Sequence, residues 1–274
     1  MDSELNIGFI GAGAMAKALA GSFTRAGLVS SKNLMASDPF DRAREAFAKA
    51  VGAKTTASNA EVVASSKVLL LAVKPNQVSN ALADVRNLIT PDHLVISIAA
   101  GVQIAKLEAQ LPAGTRLVRA MPNAPALVGA GMSAFSLNQA ASPQDAELAQ
   151  KLFSAVGQAL QVNELLLDAV TGLSGSGPAY VFMFIEALSD GGVAAGLPRD
   201  AATRLAAQTV MGAAKMLLET GLHPGALKDM VSSPAGTTIE GIFELEKSAF
   251  RGSVMRAVIA GAEKSRKLGQ SGGT

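Results

Sequence analysis

Two short stretches of the chain combine glycine with small or hydroxyl-bearing residues just before a helix-forming run. The first extends from Gly8 to Ala16 and fits a strand, then the pattern G-x-G-x-x-A, then a helix. In this pattern Gly11 permits a tight turn, Gly13 lets a diphosphate approach the backbone, and Ala16 lets the helix pack closely on the sheet. Free N–H groups and the helix dipole at that start favour an anion. The motif predicts a dinucleotide site. A glycine turn that serves packing alone is the weaker alternative, because the motif begins the first predicted strand and leads to a second near residue 34.

The end of the second predicted strand bears on which dinucleotide is bound. This strand ends at Ser37 and Asp38, and an acid at this position usually holds the ribose 2′-hydroxyl and disfavours a 2′-phosphate. Arg42 and Arg44 follow, and either could pair with a 2′-phosphate, although a solvated helix position is the commoner place for an arginine. At this point the sequence leaves NADP and NAD both open.

Residues 231–240 form the second stretch, Val-Ser-Ser-Pro-Ala-Gly-Thr-Thr-Ile-Glu. Gly236 allows unusual dihedral angles, and the pattern predicts that a helix begins at Thr237 and Thr238. Glu240 is placed for a capping box with Thr237. Such a start exposes successive N–H groups that could bind a carboxylate or a phosphate. An ordinary capped helix start is the alternative, and local sequence alone favours it. Residues 172–178 show a similar density of glycine and serine, for which close helix packing is the alternative.

Other kinds of chemistry are excluded by residues that are missing or isolated. The 274 residues include no cysteine, which excludes disulfides and thiolate nucleophiles. The two histidines, His93 and His223, are far apart and have no metal-binding spacing, so no metal site is expected. No G-x-S-x-G pattern supports a serine hydrolase. If the protein is an enzyme, the nicotinamide must supply the difficult chemistry, while the protein positions the reactants and provides the electrostatic environment.

Composition also limits the partners. The net charge is only +2, aromatic residues make up 4% and tryptophan is absent, so nucleic acid is not expected as a partner. The longest apolar run, residues 68–73, is far shorter than the roughly 20 residues of a membrane-spanning helix, so no membrane is expected either. No targeting segment is recognisable near Met1, and we expect a cytoplasmic protein with a small-molecule substrate.

The distribution of apolar residues predicts an α/β Rossmann-type doubly wound domain followed by an all-helical domain. Residues 5–10, 34–37, 68–73, 94–99 and 117–121 are short, mainly apolar runs typical of parallel strands covered on both faces. After about Leu165 only long Ala/Leu/Met-rich stretches follow: 178–195, 198–220 and 237–268 with a break near Gly252. We therefore predict a dinucleotide-binding domain over 1–164 and a helical dimerisation and substrate domain over 165–274. The helices are apolar on more than one face, which predicts a homo-oligomer.

Together these stretches resemble the pyrroline-5-carboxylate reductase family over almost the whole chain. The most specific blocks are residues 168–180, 190–193 and 227–238, and residues 8–13, 72–75 and 121–125 add to them. The sequence departs from the family pattern at Ala235, where glycine is usual, and at Asp38, where many relatives carry a neutral residue suited to NADP. The resemblance implies a Rossmann domain followed by a helical dimerisation domain, with dimers that can assemble into a higher ring such as a decamer. It also implies NAD(P)H-dependent reduction of L-1-pyrroline-5-carboxylate to L-proline, the last step of proline biosynthesis.

The resemblance further implies roles for individual residues. The substrate carboxylate is expected on the N–H groups of Gly236, Thr237 and Thr238, with Ser233 nearby. The Thr238 hydroxyl is expected to be the catalytic group that bonds the ring nitrogen and orients it. NADP is the expected cofactor, with NAD as the alternative. The expected cofactor-binding residues are Gly11, Ala12, Gly13, Ala14, Met15, Ser37, Asp38, Asn59, Ala72, Val73, Lys74, Pro75, Met121 and Asn123.

Two other functions remain as alternatives. A β-hydroxyacid dehydrogenase shares the two-domain plan and would use a lysine on the long central helix, where Lys215 is available. A non-catalytic nucleotide-sensing or scaffold protein would keep the dinucleotide fold but lose the residues around 233–238, which are present here.

Overall fold

A computed structural model describes residues 5–271 of the chain, so the outermost ends of both predicted domains lie outside the described residues. The chain divides into two compact units. The first runs to Ser176 and resumes at Ala260, and the second is Gly177–Ile259. Within the described part of the chain, no helix is both long and apolar enough to cross a membrane.

The first unit contains one eight-stranded sheet. Its strands are β1 (Ile7–Ile10), β2 (Leu34–Ser37), β3 (Lys54–Thr56), β4 (Val68–Leu71), β5 (Leu94–Ser97), β6 (Arg116–Met121), β7 (Gly131–Leu137) and β8 (Gly157–Gln161). The strand order is β3-β2-β1-β4-β5-β6-β7-β8. All neighbouring pairs are parallel except β6 and β7, which are antiparallel. The first six strands therefore have the order of a doubly wound dinucleotide fold, and the predicted fold class is confirmed.

Of the helices that the structure describes in the first unit, six lie between strands and another short one follows the last strand. They are α1 (Ala14–Arg25), α2 (Asp41–Val51), α3 (Asn59–Ser65), α4 (Val78–Ala83), α5 (Ile104–Glu108), α6 (Pro143–Ser154) and α7 (Leu167–Val170).

Strand β4 illustrates why the sheet is stable. Val68 and Leu70 belong to one buried hydrophobic cluster, whereas Leu69 and Leu71 belong to another. Because successive side chains on a strand point to opposite faces, apolar residues cover both faces of the sheet, as its mainly apolar runs predict. Burying each such side chain contributes roughly 1.5–3 kcal/mol.

Strands β3, β7 and β8 are not predicted from the sequence pattern. Residues Lys54–Thr56 are polar or partly exposed and pair only with β2. Gly157–Gln161 has the same character and pairs only with β7. An edge strand needs no continuous apolar run, so neither carries the signal that identifies the buried strands.

The second unit is all-helical, as predicted. Its helices are α8 (Gly177–Ala194), α9 (Arg199–Thr220), α10 (Pro224–Met230), α11 (Thr237–Lys247) and the first part of α12 (Phe250–Ser271). Gly221 ends α9 in the left-handed conformation, with φ of 65°, which confirms it as a helix stop. The predicted break near Gly252 lies instead at Ser248 and Ala249, where Ala249 has φ of 52°.

Apolar side chains of the second unit remain exposed in the single chain. Phe182 is 64% exposed, Leu218 78% and Phe243 56%. An exposed apolar surface of this kind marks an interaction site, and its presence agrees with the prediction that another copy of the chain covers these helices.

A buried charge network in the first unit joins elements that are distant in the sequence. The Arg119 side chain on β6 is only 4% exposed and contacts Glu164 Oε1 at 3.1 Å and Asp168 Oδ1 at 3.4 Å. Ser265 Oγ donates to Asp168 Oδ1 at 2.7 Å, and the Ile104 N–H donates to Glu164 Oε1 at 2.6 Å. The network thus attaches the end of α12 and the start of α5 to the sheet.

Replacing Arg119, the cation of this network, should destabilise the protein. Arg119→Met leaves two carboxylates without their cation, so we expect the free energy of unfolding to fall by about 3–5 kcal/mol. Urea denaturation followed by circular dichroism measures the change. Lys49→Met on the exposed side of α2 is the control and should change it by less than about 0.5 kcal/mol. Equal losses in the two variants would show that the network contributes nothing.

Candidate functional site

The first unit contains a cavity of about 900 Å³ at the carboxyl ends of its strands. The strand order reverses between β1 and β4, and ligands of open α/β sheets bind at such a switch point. The cavity is lined by residues that lie at or after the ends of several strands. They are Gly11, Gly13, Ala14 and Met15 after β1, Ser37 at the end of β2 with Asp38 after it, Asn59 at the start of α3, Ala72, Val73, Lys74 and Pro75 after β4, and Met121 at the end of β6.

The glycine turn after β1 has the geometry that a diphosphate needs. Gly11 has φ of 100°, and a Cβ there would come within 2.8 Å of the Ala72 carbonyl oxygen. Gly13 is the N-cap of α1, and no side chain caps the helix. A Cβ on Gly13 would meet no atom within 4 Å. The first N–H groups of α1 are therefore open to an anion, and the residues present fit the diphosphate of a dinucleotide.

The end of β2 is connected to this turn by Asp38. Its carboxylate accepts hydrogen bonds from the Ala12 N–H and the Phe40 N–H, each at 3.0 Å. The buried Ser37 hydroxyl donates to Asn59 Oδ1 at 2.6 Å. These contacts fix the part of the cavity wall where a dinucleotide places its adenosine ribose.

The arginines that could bind a 2′-phosphate are not among the residues lining the cavity. Arg44 donates to the Asp38 carbonyl oxygen at 2.6 Å and pairs with Asp41. Arg42 is exposed on α2.

Met121 is positioned by a π-helical turn at Thr171–Gly175. A Cβ on Gly175 would lie 2.6 Å from Met121 Cε, so a side chain there would displace the end of the Met121 side chain. Asn123 Nδ2 donates to the Ser174 carbonyl oxygen at 3.0 Å, and Asn123 Oδ1 accepts from the Met132 N–H at 2.9 Å. Gly175 thus packs against the end of β6.

Two of the predicted cofactor residues do not line the cavity. Ala12 is buried and presents its N–H to Asp38. Asn123 is also buried, and its amide group is used by the contacts to residues 132 and 174. Both residues therefore support the cavity wall instead of facing the cavity.

Several lining residues were not predicted. They are Phe40, Ala57, Gln77, Asn80, Asp84, Ile98, Ala99, Ala100 and Leu127, among others. The residues after β5 could have been found, because every parallel strand of such a sheet ends at the same edge. Asn80 and Asp84 lie one turn apart on or next to α4 and carry no motif that would identify them.

The second predicted site lies in the second unit, at the start of α11. The Gly236 N–H donates to the Ser233 carbonyl oxygen at 3.1 Å, which closes a tight turn, and Ala235 in that turn has φ of 54°. This is a left-handed conformation that glycine adopts more easily, which explains why glycine is usual there in the family that the sequence resembles.

The predicted capping box at this helix is wrong. The N-cap is Gly236, and no side chain caps the helix, so Thr237 is the first helical residue and not the cap. The first hydrogen bond of the helix runs from the Glu240 N–H to the Gly236 carbonyl oxygen at 3.5 Å. The N–H groups of Thr237, Thr238 and Ile239 therefore precede the helical hydrogen-bond ladder. Thr237, Thr238 and Ser233 are all exposed in the single chain.

Other candidate residues have ordinary structural roles. Lys215, the residue a β-hydroxyacid dehydrogenase would require, forms an exposed pair with Glu219 at 3.6 Å. His223 caps α10 by accepting a hydrogen bond from the Gly225 N–H at 3.1 Å. Among residues 5–271, no group of three or more His, Cys, Asp or Glu side chains is arranged to hold a metal ion.

Comparisons with known proteins agree with this division of the chain. Residues 6–101 match the family described as NADP oxidoreductase, coenzyme F420-dependent, and residues 164–268 match the family described as pyrroline-5-carboxylate reductase dimerisation. The match to a dimerisation family agrees with self-association of the chain.

Individual relatives cover nearly all of the chain. A pyrroline-5-carboxylate reductase of Methanosarcina acetivorans is 51% identical over 96% of this chain and 98% of its own. The Escherichia coli enzyme of the same name is 43% identical over 98% of this chain and 100% of its own. The crystal structure of Plasmodium falciparum pyrroline carboxylate reductase with NADP bound has a TM-score of 0.88 at 34% identity and covers 97% of this chain and 98% of its own.

The fold and the cavity define a dinucleotide-binding oxidoreductase with a Rossmann-type unit and a helical unit. More particularly, the chain belongs to the pyrroline-5-carboxylate reductase family.

A side chain at Gly13 should block cofactor binding without harming the fold. Gly13→Val projects into the open space in front of the first N–H groups of α1, so we expect the affinity for NADPH and NADH to fall at least about tenfold. Isothermal titration calorimetry measures the affinity, and circular dichroism should show an unchanged melting curve.

Gly11→Val provides the contrast. There φ is 100° and the Ala72 carbonyl oxygen is too close for a Cβ, so this variant should lose stability. Wild-type cofactor affinity in Gly13→Val would contradict the assignment of the diphosphate site.

Proposed function

We propose that this chain reduces L-1-pyrroline-5-carboxylate to L-proline, the last step of proline biosynthesis, with NADPH or NADH as the hydride donor. The observation that carries the proposal is that two helices, α1 and α11, begin at glycine with no side-chain cap, the first in a dinucleotide cavity and the second in the sequence block most specific to the family. Identities of 43–51% to relatives that bear this name support it.

In this proposal the substrate carboxylate binds at the start of α11. The N–H groups of Thr237 and Thr238 donate to its oxygens, and the helix dipole favours its negative charge. The Ser233 hydroxyl lies beside Gly236, since a Cβ there would be 2.2 Å from Ser233 Oγ, so it provides a further donor at the same helix start. Any side chain at position 236 would displace that hydroxyl.

The reaction needs little chemistry from the protein. When bound, the reduced nicotinamide supplies the hydride that converts the C=N bond of the protonated imine into a C–H and N–H pair. The substrate is already electrophilic in this form, so neither a metal nor a strong acid is required. The Thr238 hydroxyl orients the ring through a hydrogen bond to its nitrogen, and most of the acceleration comes from proximity and orientation.

The same proposal assigns the cofactor residues. The turn Gly11–Met15 holds the diphosphate, and Ser37, Asp38 and Asn59 face the adenosine part. Residues 72–75 and Met121 border the nicotinamide part. Ala12 and Asn123 act by holding the wall in place.

We also propose that the exposed apolar faces of the second unit pair with a second copy of the chain. The match to a dimerisation family over 164–268 supports this pairing. Assembly of dimers into a larger ring such as a decamer, and a cytoplasmic location, are part of the proposal.

Loss of the Thr238 hydroxyl should slow the reaction without weakening cofactor binding. For Thr238→Ala we expect kcat to fall about 10- to 100-fold, the effect of one hydrogen bond to a charged group. Steady-state rates with pyrroline-5-carboxylate measure kcat, and calorimetry measures the dissociation constant of NADPH. Thr237→Ala is the matched control and should retain most activity, because that residue acts through its backbone. An unchanged kcat in Thr238→Ala would remove this residue from its role, and a wild-type protein inactive on the imine would overturn the proposed function.

A charge on the exposed apolar surface should disrupt self-association. Phe182→Glu places a carboxylate where a 64% exposed ring is proposed to meet another copy, so a smaller assembly should elute. Size-exclusion chromatography with light scattering measures the mass. Leu88→Glu in the first unit, where the side chain is also exposed, is the control and should leave the mass unchanged. A wild-type monomer would contradict the proposed pairing.

A further inference from the structure

The charges that line the dinucleotide cavity are unevenly distributed. Among its lining residues the only cation is Lys74, which follows β4. The adenosine end carries two carboxylates instead, Asp38 after β2 and Asp84 after α4. Asp84 Oδ2 accepts a hydrogen bond from Asn59 Nδ2 at 3.4 Å, and Asn59 in turn contacts Ser37 at the end of β2. A 2′-phosphate at this end would therefore meet negative charge and no lining cation.

The Asp38 carboxylate is held in this position by the backbone. Its two oxygens accept one hydrogen bond each, from the Ala12 N–H and the Phe40 N–H, both at 3.0 Å. Moving the carboxylate away from an incoming phosphate would break both bonds. In contrast, a ribose 2′-hydroxyl can donate to a carboxylate oxygen that still has a free lone pair.

The nearest arginine is engaged elsewhere. Arg44 donates to the Asp38 carbonyl oxygen at 2.6 Å and pairs with Asp41. Its side chain is 20% exposed and does not line the cavity. Recruiting it to a 2′-phosphate would mean giving up the ion pair and the main-chain hydrogen bond, and the carboxylate of Asp38 would still face the phosphate.

We infer that Asp38 is a specificity-determining residue that accepts a hydrogen bond from the adenosine ribose 2′-hydroxyl and repels a 2′-phosphate, so that this chain uses NADH at least as efficiently as NADPH. The kinetic part of this inference rests on the proposed function, whereas the binding part does not. The inference concerns only whether the adenosine ribose carries a hydroxyl or a phosphate at its 2′ position, and the proposed reduction is the same with either cofactor.

Binding to the wild-type protein gives the first test. Isothermal titration calorimetry compares NADH with NADPH, and adenosine 5′-diphosphate with adenosine 2′,5′-bisphosphate, which carry the two kinds of ribose without the nicotinamide. We expect NADH to bind at least as tightly as NADPH. We also expect adenosine 2′,5′-bisphosphate to bind no more tightly than adenosine 5′-diphosphate. Tighter binding of NADPH by tenfold or more would overturn the inference. Because these measurements need no imine, they stand even if the proposed reaction fails.

Variants at Asp38 give the second test. Asp38→Ser removes the charge but keeps an acceptor for the backbone N–H groups, so the ratio of kcat/KM for NADPH over NADH should rise at least about tenfold, chiefly through the KM for NADPH. The calorimetric affinities should shift in the same direction. If Asp38→Ser does not fold, Asp38→Asn serves in its place. Glu45→Gln is the matched control, since it removes an exposed carboxylate from α2 that does not line the cavity, and it should change the ratio by less than about threefold.

The alternative partners of a 2′-phosphate are Arg42 and Arg44, which follow β2. Arg42→Ala should leave the NADPH to NADH ratio within about threefold of wild type, since Arg42 is exposed on α2 and does not line the cavity. Arg44→Ala should leave the NADPH to NADH ratio within about threefold of wild type, since the side chain contacts Asp41 and the main chain. A tenfold or greater loss of NADPH affinity in this variant would show that Arg44 binds the 2′-phosphate and would overturn the inference. An unchanged ratio in Asp38→Ser would do the same.

Discussion

Backbone N–H groups without a side-chain cap are the physical basis of both candidate sites. Helices α1 and α11 begin at Gly13 and Gly236, and neither N-cap has a side chain that could accept a hydrogen bond from the first N–H groups of its helix. The first N–H groups of a helix have no partner inside it, so an anion that reaches them gains hydrogen bonds and a favourable dipole. Ser142 shows the opposite case, because its hydroxyl accepts from the Asp145 N–H and its own N–H donates to the Asp145 carboxylate, which satisfies the start of α6 internally. Such a cap at α1 or α11 would compete with the ligand for the same groups.

The sheet determines where the first of these helix starts lies. Strand β1 pairs in parallel with β2 on one side and β4 on the other, so the chain leaves it at the point where the strand order reverses. Apolar residues bury both faces of the central strands, which leaves the carboxyl edge as the place where polar groups can meet a ligand. Asp38 then joins two of these strand ends, because its carboxylate binds the Ala12 N–H in the turn after β1. The diphosphate turn and the ribose end of the cavity are thereby coupled.

Elements with a strong local signal could be predicted from the sequence. The strand over Leu34–Ser37 and the start of α1 at Ala14 are as predicted, because continuous apolar runs and glycine turns act over a few residues. The edge strands β3 and β8 were missed, since Lys54–Thr56 and Gly157–Gln161 are extended mainly because a neighbouring strand pairs with them. Strand β7, which pairs antiparallel with β6, was not predicted for a different reason: Gly131–Leu137 is largely buried, but glycine and serine interrupt its apolar run.

The sequence by itself determined the chemistry that is available: two glycine-led helix starts, an acid after the second strand, and a helical half too apolar to be covered by one chain. Only the tertiary structure decided which partner each of these side chains binds and which residues face the cavity. It directs Arg44 to Asp41 and away from the cavity, and it gives the Asn123 amide to Ser174, 51 residues away along the chain. Short-range patterns express backbone preferences within a few residues. The partner of a side chain, however, comes from whichever segment the fold brings beside it, and no local pattern encodes that segment.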